Sequence, residues 1–170
     1  MGIKDMSKGG AMRDSWETAR HFVSQIQELP QPLVIIAGAR KTGKTPLAKA
    51  LATQGLGTYI NLSLLLSRYL ATDPDADDNL TASTMVRLLR DISPTGPMIV
   101  DNIEAVFQPE LRLSPLRWFR QIARDMPLVV VWPGAVVEGE FRYSMPNRPD
   151  YFYSREPSLV VVNLETEFVL

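Results

Sequence analysis

The sequence predicts a three-layer α/β fold, with a mostly parallel five-stranded sheet covered by helices on both faces. Three observations predict it. Short apolar runs, most of them rich in β-branched residues, recur at 33–37, 58–62, 98–101, 128–132 and 158–163. Segments of helical period stand between most of them. The runs are continuous rather than alternating, as in strands buried on both faces of a parallel sheet.

Taken in order, Met1 to Met12 reads as a flexible arm containing Ser7-Lys8-Gly9-Gly10, and residues 13–170 as one domain. Trp16, Ala19, Phe22, Val23 and Ile26 give one apolar helical face over Trp16 to Leu29, which Pro30 and Pro32 end. Leu33 to Ala37 is the first buried strand. A glycine-bearing loop follows, then a helix from Lys44 to Thr53 that Gly55 and Gly57 stop. Thr58 to Leu62 reads as a strand and Ser63 to Leu70 as a helix. Asp73, Pro74, Asp75, Asp77, Asp78 and Asn79 read as a solvated acidic loop, since they lack the ligand and glycine spacing of a calcium loop. Thr81 caps a helix to Ile92, and Pro94, Gly96 and Pro97 break the chain. Met98 to Asp101 is the third strand. Pro115 to Arg124 is a helix with proline in its first turn, where a missing N–H costs nothing. Leu128 to Trp132 is the fourth strand, ended by Pro133-Gly134. Glu138 to Pro157 is proline-rich and aromatic without helical period, read as a packed excursion over the sheet edge. Ser158 to Asn163 is the fifth strand.

Composition excludes several chemistries. The chain has 170 residues, 45% hydrophobic and 22% charged, which is globular composition. With 0 Cys there is no disulfide, thiolate metal site or cysteine nucleophile, and with 1 His, His21, no paired-histidine mechanism. Lys+Arg is 18 against Asp+Glu 19, so no overall basic excess drives nonspecific nucleic-acid binding. The N-terminus lacks the apolar stretch of a signal peptide, and no run approaches the roughly 20 residues of a membrane span. A soluble, cytoplasmic protein with no membrane partner is the expectation.

The sharpest motif is Gly38-Ala39-Arg40-Lys41-Thr42-Gly43-Lys44-Thr45, which matches G-x-x-x-x-G-K-[ST], the Walker A pattern, between a strand and a helix. The glycines let the backbone wrap a phosphate with its N–H groups pointing inward. The new helix presents unpaired N–H groups and its positive end. Lys44 reaches the β- and γ-phosphates, and the Thr45 hydroxyl ligates Mg²⁺. Arg40 and Lys41 either add charge near the phosphates or are solvated. The reading is of a P-loop nucleoside triphosphatase with ATP and Mg²⁺ as cofactors.

Such a loop needs a carboxylate at the end of a nearby strand to act on the metal, the Walker B role. Asp101 supplies it after Met98-Ile99-Val100. In ATPases of the additional-strand class a glutamate often follows this aspartate to polarise water; here the next residue is Asn102, which can orient water but is no base. Glu104 is the nearest carboxylate, either a catalytic base or a first-turn surface residue. Asn61, at the end of the second strand, lies on the expected ligand rim and reads best as a strand-end cap. Arg117, Arg120 and Arg124 line one helical face opposite Leu116, Phe119 and Ala123. They form a solvated basic face, a charged partner surface or a source of an arginine finger, for which Arg112 in the preceding loop is the first candidate. Trp132-Pro133-Gly134 stands where many ATPases carry a polar γ-phosphate sensor. Phe141, Arg142, Tyr143, Tyr151, Phe152, Tyr153 and Arg155 interleave aromatics with arginines, as single-stranded nucleic-acid binders do, but Glu138, Glu140, Asp150 and Glu156 cancel the charge. Direct DNA contact is therefore not indicated.

These strings resemble the BrxF family, small P-loop proteins of type 3 BREX bacteriophage-exclusion systems. The resemblance rests on Gly38 to Thr45, Tyr59-Ile60-Asn61-Leu62, Val100-Asp101-Asn102-Ile103-Glu104, Pro109 to Arg117 and Trp132-Pro133-Gly134. It covers most of the chain after the first helix; the phosphate loop is generic, and the later strings are the more specific part. The resemblance implies a subunit of a multi-gene antiviral system, with further copies of itself or other BREX proteins as partners. It also implies an AAA+-like core without a helical lid, with the strand order of additional-strand ATPases. Departures are the missing glutamate after Asp101 and the lack of an identifiable lid arginine. The function expected is an ATP-binding, ATP-hydrolysing defence subunit acting in an assembly. A nucleotide-gated scaffold with little hydrolysis and a P-loop small-molecule kinase are the alternatives.

Overall fold

The computed structural model describes residues 3–73, 80–92 and 94–164, with residues 3–13 as backbone only. The elements are α1 (Ile3–Ser24), β1 (Leu33–Gly38), α2 (Lys44–Thr53), β2 (Thr58–Asn61), α3 (Leu62–Thr72) and α4 (Ala82–Asp91). They continue as β3 (Met98–Asp101), α5 (Pro115–Asp125), β4 (Leu128–Val131), β5 (Glu140–Tyr143), β6 (Phe152–Arg155) and β7 (Val160–Leu164). Five strands form one sheet in the order β2-β3-β4-β1-β7. Every pair in it is parallel, so the mostly parallel expectation becomes an all-parallel sheet.

The continuous apolar runs explain the layers. Alternate residues of each strand face opposite sides, and both sides are covered. Leu33, Ile35, Val100 and Val130 pack with Leu66, Leu89, Phe119 and Ile122 of α3, α4 and α5. Val34, Ile36, Ile99 and Val129 pack with Ala19, Val23, Ala48 and Leu51 of α1 and α2. Register follows, with Val34 opposite both Val129 and Val160 and Ile99 opposite Val129. β4 stands between β1 and β3, so the strand feeding the glycine loop and the strand ending in Asp101 are not neighbours.

Several boundaries differ from the sequence reading. α1 begins at Ile3, which takes the expected arm into its first turns, and it stops at Ser24, with a separate 3-10 turn over Ile26–Glu28. Leu62 opens α3 rather than closing β2, because the Asn61 side chain accepts a hydrogen bond from the Leu64 N–H at 3.0 Å and caps the helix. Thr81 caps α4 as expected, accepting from the Thr84 N–H at 3.2 Å. The acidic loop over 74–79 lies outside the described residues.

The aromatic stretch is a two-stranded antiparallel hairpin, β5-β6, with Phe141 opposite Ser154 and Tyr143 opposite Phe152. It is packed, as expected. Its Phe141 and Phe152 rings meet Trp132, just past central β4, at 5.1 and 5.7 Å. The ring of Phe107, in the 3-10 turn Glu104–Phe107, stacks on Tyr143 at 3.9 Å and meets Trp132 edge-on at 5.4 Å. The reason is burial: Trp132 and Phe141 are fully enclosed, and the large apolar surface of these rings is where they gain most from leaving water.

Candidate functional site

The site begins where β1 runs out. Gly38 cannot carry a side chain there, because a Cβ would sit 2.5 Å from Thr42 Oγ1 and 2.8 Å from the Leu164 carbonyl oxygen. Its N–H donates to the Gly134 carbonyl at 2.9 Å, which ties the loop to the turn after β4. Inside the loop the Thr42 hydroxyl donates to the Ala39 carbonyl at 2.8 Å, and Lys41 adopts a left-handed φ of 64°. Gly43 is the N-cap of α2 with φ 94°, a conformation that favours glycine. Gly43 makes no side-chain cap and the first turn of α2 holds no acidic residue, so nothing of the helix's own neutralises its positive end.

Lys44 folds back over this loop and donates to the Gly38 carbonyl at 2.5 Å. Burial holds its ammonium below the usual lysine range, and the carboxylates of Asp101 and Glu104 pull it partly back up. The three charges are therefore close neighbours although they arise from two distant segments. Thr45 donates its hydroxyl to Asp101 Oδ2 at 2.6 Å, across 56 residues of sequence.

Asp101 is 4% exposed, the one buried charged residue among those described. Its carboxylate is held by three donors: Thr45 at 2.6 Å and the Tyr59 phenol at 2.7 Å on Oδ2, and the Asn102 N–H at 2.8 Å on Oδ1. That satisfies a group whose burial as a bare ion would be prohibitive. Burial raises the Tyr59 pKa, and the hydrogen bond to the Asp101 carboxylate and its charge raise it further. The sequence reading missed Tyr59. Its place two residues before Asn61 puts it on one face of β2, but only the β2–β3 register brings that face against Asp101.

After Asp101 the chain turns sharply. Asn102 has φ 53°, and its carbonyl accepts from the Ser63 hydroxyl at 2.5 Å and the Ser63 N–H at 3.0 Å. Beyond this turn Glu104 lines the same cavity as Asn102, Asp101, Lys44 and Thr45. Arg40, Val131, Trp132 and Pro133 complete the walls of this space of about 430 Å³. A second cavity of about 480 Å³ lies against the loop at Thr42 and Gly43, between α1, α2 and β7, with Trp16, Leu47 and Val162 in its walls.

Other candidate residues stand elsewhere. Lys41 and Arg112 are exposed and line neither cavity; Arg112 takes φ 51° at the end of a 3-10 turn. The arginine face of α5 is not uniformly solvated, since Arg120 pairs with Glu156 at 2.6 Å while Arg117 and Arg124 stay exposed. On the hairpin, Arg142 pairs with Glu140 at 3.2 Å and lies over the Tyr153 ring at 5.0 Å. The hydrogen bond from Arg142 and, after it, one from the Tyr153 hydroxyl at 3.1 Å hold the Glu140 carboxyl below its usual range.

Among the described residues no helix is long and apolar enough to cross a membrane, and no cluster of three or more His, Asp or Glu forms a metal site on its own. No protein-family model, curated protein or solved structure matches the chain.

Proposed function

We propose that the chain binds a nucleoside triphosphate with Mg²⁺ on the Gly38–Thr45 loop and hydrolyses it, as a P-loop ATPase subunit. The observation that carries this reading is the 2.6 Å contact of Thr45 with Asp101, which joins the last residue of the glycine loop to the strand-end carboxylate. A chance match to the loop pattern has no reason to meet a buried aspartate at that point. The strand order, with β4 between the loop strand and the aspartate strand, supports the additional-strand class and the AAA+-like core.

The donor set suits the ligands. The uncapped start of α2 and the ammonium of Lys44 suit phosphate oxygens. Thr45 and Asp101 offer hard oxygens, the kind Mg²⁺ takes together with phosphates and water. Bound Mg²⁺ would neutralise charge on the phosphates. Lys44 would exchange the Gly38 carbonyl for a phosphate oxygen. Glu104 would accept the proton of the attacking water, and Asn102 would orient that water. The cavity beside Thr42 and Gly43 has room for the nucleoside end.

One observation favours a second reading, a nucleotide-gated scaffold that turns over slowly. The residue directly after Asp101 is Asn102, and the further carboxylate lining the cavity among the described residues, Glu104, is solvent-exposed. The resemblance to the BrxF family supplies the setting: a subunit of a phage-exclusion system that works with copies of itself or with other BREX proteins.

Calorimetry with ATP and Mg²⁺ tests the site. The parent binds, and Lys44→Ala loses measurable affinity while keeping its fold by circular dichroism. Unchanged affinity in the variant would sink the assignment.

A further inference from the structure

We propose that Tyr59 is a positioning residue for the metal: its phenol holds the Asp101 carboxylate in place behind Thr45 and Mg²⁺. The inference rests on the nucleotide-binding reading above and deepens it.

Asp101 Oδ2 accepts two hydroxyls, Thr45 at 2.6 Å and Tyr59 at 2.7 Å. The two are not equivalent. Thr45 occupies the last position of the glycine-loop pattern, where the hydroxyl goes to the metal. Its lone pairs can serve a cation while its proton stays on Asp101, so its place is shared between the carboxylate and the metal. The donors that serve the carboxylate alone are the Asn102 N–H at 2.8 Å on Oδ1 and Tyr59 on Oδ2. A single N–H next door in sequence fixes one oxygen and leaves the carboxylate free to pivot about it. The phenol comes from another strand, β2, and supplies the second fixed point.

Tyr59 is built for that task. It sits half-buried on the strand paired with β3, with Asn61 opposite Asp101 in the register. The Lys49 ammonium lies 5.5 Å from its ring centroid. A phenol on a short, rigid arm reaches the carboxylate with two side-chain torsions to fix, fewer than a lysine or glutamine would need. Groups that hold a metal-ligating side chain from behind commonly contribute about 10–100-fold to metal affinity.

The test uses Tyr59→Phe, which removes one oxygen and keeps the ring and its packing, while Asp101 keeps its Thr45 and Asn102 donors. The probe is a nonhydrolysable ATP analogue. Two quantities are measured by calorimetry: analogue affinity in excess EDTA, and the Mg²⁺ concentration giving half of the metal-dependent gain in affinity. The variant is expected to match the parent within about twofold in EDTA and to need about tenfold more Mg²⁺ or greater. Adding Tyr59→Phe to Asp101→Asn should move the Mg²⁺ midpoint no further, since the phenol acts through that carboxylate. An unchanged midpoint in Tyr59→Phe overturns the proposal, and so does an equal loss of affinity with and without metal, the mark of a merely structural tyrosine. A parent that binds no analogue at all fails the nucleotide reading itself, and the Tyr59 role with it; a parent that binds beside an unaffected variant fails only Tyr59.

Discussion

Trp132 joins the fold to the candidate site, and truncating it tests whether the hairpin is part of the core. The indole is fully buried, meets the rings of Phe107, Phe141 and Phe152 at 5.4, 5.1 and 5.7 Å, and donates from Nε1 to the Arg142 carbonyl at 3.1 Å. Trp132→Ala leaves a cavity among those three rings, and truncations of this size cost about 3–5 kcal/mol. Loss of the hydrogen bond adds about 1 kcal/mol. The sum, about 4–6 kcal/mol, is a large part of the roughly 5–15 kcal/mol that holds a domain folded. Trp132→Phe keeps one ring in place and loses the N–H, so about 2 kcal/mol is expected. Urea unfolding followed by circular dichroism reads both, with an unchanged m-value showing that the same surface is exposed. The residue also lines the cavity of Lys44 and Asp101, so nucleotide affinity should fall further in the alanine variant than in the phenylalanine one. A cost below about 2 kcal/mol for Trp132→Ala, or equal costs for the two variants, would refute the picture of a hairpin locked onto β4.

Three further outcomes are expected. Asp101→Ala keeps measurable nucleotide binding through the loop backbone but loses most of its Mg²⁺ dependence; titrating Mg²⁺ against binding and turnover checks this, and parent-like dependence would make Asp101 structural. Burial first, then Asp150 and Glu104, raise the Tyr143 pKa above its ordinary 10.0. The folded form then holds the phenolic proton more tightly than the unfolded chain, so this stabilisation is complete below pH 10 and fades as the pH rises through the folded value. Thermal melts of Tyr143→Phe beside the parent from pH 8 upward should show the parent alone losing it. Turnover should need a neighbour, because the site holds Asn102 where a glutamate would serve. An arginine supplied across an interface is worth roughly 10³–10⁵ in rate. Mixing Arg112→Ala with Lys44→Ala subunits, each inactive alone, should recover activity; no recovery together with a monomeric mass in ATP and Mg²⁺ removes the trans-arginine idea.

What the sequence determined alone was whatever depends on local chemistry and period. The continuous runs Leu33–Ala37, Met98–Val100 and Leu128–Val131 read as buried strands because no alternation of polar residues marks a wet face. The capping role of Thr81 was legible because a short polar side chain before an apolar helical run has few other uses, whereas Asn61 read as a strand-end cap and the structure makes it the N-cap of α3. The loop Gly38–Thr45 was legible because its glycines and its lysine stand at spacings that only a strand–loop–helix turn explains. Tertiary structure decided the rest, because contacts between distant segments leave no mark in either one. That Thr45 meets Asp101 across 56 residues depends on the position of α2 over the sheet. That Tyr59 holds the same carboxylate depends on β2 pairing with β3 in one register rather than another. Glu104 lines the cavity of Asp101 beyond the left-handed turn at Asn102, which no spacing in the sequence announces. The hairpin of β5 and β6 was hidden for a different reason. Its strands, Glu140–Tyr143 and Phe152–Arg155, are too short for a period to emerge. What draws them together is the enclosed surface of Trp132, which lies on another segment.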